Sequence, residues 1–168
     1  MDKVELCERF GKDDGRTMPL QTVLGKIAEY GSELLCLVYI ANCANIRFFA
    51  ETPYPLVKAD AAEISEDTSF VSLYRDCVQY GWCAMDGLVF MPEKVLESLL
   101  FEPVKLLPRR VEAGGEARGG WTWYVALFKS GEYAVVDDDG LLVWQPNGLS
   151  ADSLGERIRT VAYSFDPK

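Results

Sequence analysis

WTWYVALFKSGEYAVVDDDGLLVWQ, residues 121–145, is the stretch on which the reading of the fold turns. Three runs rich in β-branched and aromatic residues (121–129, 132–136 and 141–145) are separated by Gly-containing turns, the pattern of an antiparallel meander. In the first run Trp121, Trp123, Val125 and Leu127 share one face, and Thr122, Tyr124, Ala126 and Phe128 share the other. Both faces are largely apolar, so the expected strand is central and covered twice. The alternative is a strand that offers its aromatics to a partner.

The three aspartates between the second and third runs invite a metal reading. An EF-hand loop with Gly140 at its sixth position would need acids at Val135, Asp137 and Asp139 and a glutamate at Pro146. Val135 and Pro146 fail that register. Asp139-Gly140 instead supplies the residues of a tight hairpin, either a two-residue turn pairing Val136 with Val143 or a type I turn with Gly140 at a bulge. The aspartates are therefore expected at a hairpin tip.

Outward from this core, 104–110 (VKLLPRR) reads as a further strand. Four amphipathic helices are expected. The first, at 18–30, carries Leu20, Val23, Leu24 and Ile27 on one face. The second is capped near Asp67, Thr68 or Ser69, has Phe70, Leu73, Tyr74, Cys77 and Val78 inward, and is ended by Gly81. The third opens at Pro92 with Val95, Leu96, Leu99 and Leu100 inward. The fourth is capped by Ser150 or Asp152, with Leu154, Ile158, Val161 and Ala162 inward and a frayed tail after it. The apolar run at 33–50 is read as two strands (33–41 and 46–50) joined by a turn at Asn42-Cys43-Ala44-Asn45, a buried helix being the alternative over 33–41. A short strand is expected over 88–91, after the Asp86-Gly87 turn.

Helices and strands do not alternate as βαβ units would. The expected fold is α+β: a single domain over 1–168 with an antiparallel sheet packed against about four helices. A subdivision near 103–120 is the alternative.

The composition narrows the function classes. There is no histidine, which removes Ser-His-Asp and Cys-His nucleophile systems, HExxH metalloproteases and most catalytic zinc sites. Five cysteines, Cys7, Cys36, Cys43, Cys77 and Cys83, show neither CxxC spacing nor a paired framework, and reduced, mostly buried thiols in structural roles are expected. Cys7 and Cys83 are the candidates for an accessible thiol, although no adjacent base activates either. The glycines of EAGGEARGG at 112–120 match neither GxxxxGK[ST] nor GxGxxG. Arg109, Arg110 and Arg118, near Trp121, Trp123 and Tyr124, are the only basic-aromatic cluster, and the acidic balance elsewhere argues against nucleic-acid binding. No cofactor or metal is expected. The opening residues lack a secretory signal and no run is long enough for a membrane span, so a cytoplasmic location is expected.

The net charge of −9 is uneven. Residues 51–102 hold ten acids against three bases; residues 1–50 hold seven against six, and the remainder nine against eight. Such a segment attracts basic surfaces. The leading expectation is a non-enzymatic inhibitor or immunity-type protein that occupies a basic surface of a macromolecular partner through Asp60, Glu63, Glu66, Asp67, Glu93 and Glu97. Toxin-immunity, anti-restriction and anti-CRISPR proteins are analogues of class, with no shared motif. The rivals are a carboxylate-based, metal-dependent hydrolase or transferase, and an assembly protein that self-associates through the aromatic strand at 121–128.

Overall fold

The computed structural model describes residues 31–49, 74, 76–84, 88–111 and 121–167. The expected helix at 18–30, the Pro-rich acidic stretch at 52–67, the start of the second helix, Asp86-Gly87 and the loop at 112–120 lie outside these. The described chain is α+β, as expected. Its elements are α1 (Ser32–Phe49), α2 (Pro92–Leu99), β1 (Leu106–Val111), β2 (Trp121–Phe128), β3 (Tyr133–Val136), β4 (Leu142–Trp144), α3 (Ala151–Leu154) and β5 (Arg157–Pro167). Residues 74 and 76–79 are also helical, with Tyr74 and Cys77 buried as expected. Gly81 follows at φ +73, a conformation that costs glycine little.

The strands form one antiparallel sheet in the order β1-β5-β2-β3-β4. The β2-β3-β4 meander matches the reading of residues 121–145. Two other expectations are overturned. The final helix expected after Ser150 is a single turn: Ser150 caps it by accepting a hydrogen bond from Ser153 N, and Gly155 at φ +81 ends it. The remainder is β5, an inner strand between β1 and β2. Leu154, Ile158, Val161 and Ala162 have helical spacing by coincidence, and Ile158 is exposed. The period that governs is two, which puts Val161, Tyr163 and Phe165 on one face opposite Val125, Trp123 and Trp121. β-Branched and aromatic residues fit that pleated surface better than a helix.

The second correction concerns the two strands and turn read over 33–50: the described residues form one continuous helix, α1, through Phe49, which extends the buried helix that was the alternative over 33–41. At 18 residues the segment is far longer than an ordinary strand. It is buried on most sides, so no polar stripe marks its period. Asn42 and Asn45, read as turn residues, are both fully buried. Asn45 Nδ2 donates to Leu99 O at 2.9 Å, and its Oδ1 accepts from Phe101 N at 2.8 Å, so this asparagine ties α1 to the end of α2. By length and apolarity α1 would also suffice to cross a membrane; most of it is buried against the sheet and α2.

α1 lies on the sheet face that carries Trp121, Trp123, Val125 and Val135. Tyr39 stacks on Trp144 with centroids 4.7 Å apart and meets Trp123 edge-on at 6.0 Å. Such ring pairs add about 0.5–1.5 kcal/mol each beyond burial. On the opposite face Leu154 and Leu149 pack over Ala126, Phe128, Ala134 and Val136. β2 is therefore central and packed on both faces, as its alternation implied. The turn expected at 137–140 takes the bulged form: Gly140 N donates to Asp137 O at 3.0 Å, Gly140 has φ +82, and Val136 pairs with Leu142 rather than Val143.

Among the described residues neither polar atom of the fully buried Asn42 side chain has a partner. An orphaned buried amide costs more than the apolar group of similar shape that could replace it. Asn42→Leu should therefore stabilise the fold by about 1 kcal/mol, raising Tm by about 3 °C. A lower Tm would show that the amide is engaged in solution.

Candidate functional site

Four of the six acids expected to meet a partner, Asp60, Glu63, Glu66 and Asp67, lie outside the described residues. Glu93 and Glu97 stand one helical turn apart on α2, both half-buried at its flank, each followed by an exposed residue, Lys94 and Ser98. Glu93 falls in the first turn of a helix that has no side-chain cap, where its charge complements the helix dipole.

What the sequence did not show is the apolar strip beside them. Phe90 and Met91, immediately before α2, are 58% and 43% exposed, and Tyr80 is 61% exposed. The strip is held in place by its backbone. Phe90 N and Met91 N both donate to Trp82 O, at 2.8 and 3.1 Å, Ala84 N donates to Leu88 O at 2.8 Å, and Val89 bridges Cys83. Tyr80 packs on Trp82 with centroids 5.1 Å apart. The expected strand at 88–91 is reduced to that one bridge. Exposed aromatic and thioether side chains on a fixed backbone, flanked by carboxylates, have the make-up of a protein-contact surface. The signal available in sequence was the alternation of Leu88 and Phe90 ahead of Pro92, which reads equally well as core.

A second cluster was also missed. Glu33, in the first turn of α1, approaches Tyr133 on β3 and Arg159 on β5. Arg159 Nη2 donates to the Tyr133 hydroxyl at 3.2 Å, that hydroxyl is in turn bonded to the Glu33 carboxylate, and Val89 N–H is bonded to it as well. Burial pushes the Glu33 carboxyl from 4.5 up to about 7, against the opposing pull of the Val89 hydrogen bond, Arg159, Tyr133 and Arg110. Burial likewise raises the Tyr163 hydroxyl and the Cys36 thiol. A carboxyl that titrates near neutrality can exchange protons, and among the described residues Glu33 is the carboxyl with that property.

Other candidates fall into structural roles. The carboxylates of Asp137, Asp138 and Asp139 lie within 4.8 Å of one another. Asp137 Oδ1 accepts from Asp139 N at 3.0 Å and Leu141 N at 2.8 Å, the bonding of a turn-forming aspartate. Cys83, one of the two candidates for an accessible thiol, is buried, in line with the structural role expected of the cysteines; Cys7 lies outside the described residues. Arg109 is paired with Asp166, and the Trp121 and Trp123 rings pack into the core under α1. Arg118 lies outside the described residues. In the strand at 121–128, the Val125 face packs against α1 and the face of Ala126 and Phe128 packs against Leu154.

The chain matches no family model, no curated protein and no solved structure.

Proposed function

We propose that this is a non-enzymatic binding protein of the inhibitor or immunity type, which covers a basic surface of a macromolecular partner with the acidic, apolar-centred face around α2. The observation that carries the reading is the fixed strip of Phe90, Met91 and Tyr80 beside Glu93 and Glu97. It lies within the segment 51–102 that holds ten acids against three bases. Exposed aromatic anchors supply binding energy when a partner desolvates them. Surrounding carboxylates steer a basic partner and set its register.

The test is kinetic, on the partner obtained by affinity capture from the source cell. The double substitution Glu93→Lys with Glu97→Lys should slow association at least tenfold at low salt and flatten its salt dependence. Phe90→Ala should leave association alone and speed dissociation. Unchanged kinetics in both variants would remove this face from the interface.

Glu33 is the observation that favours the rival reading, a carboxylate-based hydrolase or transferase. Its hydrogen bonds run to Val89 and Tyr133 within the fold, which supports a structural role for it ahead of a catalytic one.

A further inference from the structure

The sheet face turned away from α1 carries a groove beside the Leu149–Leu154 cover. It is an open groove of about 320 Å³, lined by the β2 stretch 121–124 together with Val136, Asp137, Asp138 and Val143. That volume is at the small end for a ligand site and suits a single long side chain rather than a cofactor. Its walls are chemically graded. Tyr124 and Val136 belong to the apolar cluster on this face, and Val143, on the outermost strand, is 44% exposed. The polar end is the β3–β4 turn. Asp137 holds that turn rigid through its bonds to Asp139 N and Leu141 N, which fixes the position of Asp138. Among the described residues no hydrogen bond or ion pair engages the side chain of Asp138 or Asp139. Arg157, whose guanidinium lies against Gly140 at the same turn, pairs with neither.

The geometry points to this groove as a receptor for one basic side chain, an arginine or lysine, presented by a protein partner. The aliphatic stem lies along Tyr124 and Val143, where long cationic side chains bury their methylenes. The guanidinium or ammonium reaches Asp138 for a charge-assisted hydrogen bond, with the Tyr124 ring alongside as a second attraction for a cation. A neutral or acidic side chain of equal length would gain the stem contact and lose the rest. This site is separate from the α2 face, since α1 and α2 lie on the other side of the sheet, and it stands or falls independently of the proposed function.

The full chain labelled with ¹⁵N, titrated with acetyl-Ala-Arg-Ala-amide and with the same peptide carrying citrulline in place of arginine, tests it. The expected result is a set of shift changes centred on the amides of Thr122, Tyr124, Asp138 and Val143, with the citrulline peptide at least tenfold weaker. Asp138→Asn, at an exposed position that leaves the fold intact, should weaken the arginine peptide at least fivefold, whereas Asp152→Asn on α3 should not. Equal affinity for the two peptides, shift changes centred elsewhere, or an unaltered Asp138→Asn affinity would each overturn the assignment. The α2 face is read separately by the Glu93 and Glu97 variants, so failure of one site is distinguishable from failure of the other.

Discussion

Asn45→Ala is expected to destabilise the protein by on the order of 3 kcal/mol, read by urea denaturation followed through tryptophan fluorescence. Asn45 is fully buried, and its amide makes two hydrogen bonds that pull in different directions, to Leu99 O at 2.9 Å and from Phe101 N at 2.8 Å. These are the last carbonyl of α2 and an amide of the connection that leads to β1. Removing the side chain leaves both groups without their partner at a largely dry contact, and each such orphan costs about 1–3 kcal/mol. Asn45→Asp discriminates further. It keeps an acceptor for Phe101 N but loses the donor to Leu99 O, and it introduces a buried charge. It should therefore be at least as damaging at pH 8 and milder at pH 4, where the carboxyl can protonate and donate. A loss below about 1 kcal/mol in the alanine variant would mean that water replaces both bonds.

Glu33→Gln should change the pH dependence of stability rather than its value at a single pH. The folded-state carboxyl titrates near 7 and the unfolded one near 4.5, so folding takes up a proton in the interval between them. Stability from this group is fully present below about pH 4.5 and is lost as pH rises through 7. The loss on complete ionisation is on the order of 3 kcal/mol. A neutral glutamine of the same shape can accept from Val89 N–H and Tyr133 without carrying that penalty. The variant should match the parent near pH 4.5 and exceed it increasingly towards pH 8. Parallel stability curves for the two proteins across this range would refute the burial of an ionisable carboxyl at this position.

These two residues also show what could be read from the sequence. The meander was legible because Trp121 to Trp144 alternates with a period of two and breaks at glycine-bearing turns, and local signals of that kind survive folding. The third helix was legible from Pro92 and the spacing of Val95, Leu96 and Leu99. α1 was not, because a helix buried on most sides has no polar face to show its period. Asn42 and Asn45 then looked like a turn, when Asn45 is in fact a tertiary tie to residues more than fifty positions away. β5 was misread because Leu154, Ile158, Val161 and Ala162 satisfy helical spacing locally, while the partners that make 157–167 a strand are β1 and β2. Of the candidate surface, Glu93 and Glu97 were visible as charge on a helix. The exposure of Phe90 and Met91 was not, since apolar residues beside a proline-initiated helix give no sign of which way they face. The Glu33 cluster gathers α1, β3 and β5, and no spacing in one chain reports such a convergence.

The strand order has a consequence for how the chain comes together during synthesis. Among the described strands β1 neighbours only β5, and β2 shares β5 with it, so β1, about fifty residues upstream, and β2, about thirty upstream, wait on the same late arrival. While the ribosome is still translating 157–167, β2, β3 and β4 can zip into a hairpin pair, but among the described strands β1 lacks its sheet neighbour and β2 lacks one of its two. An incomplete chain is then a sticky one, and loop closure over that distance slows folding relative to a plain meander. The interval before β5 docks is when chaperone capture or mispairing with a neighbouring nascent chain is most favoured.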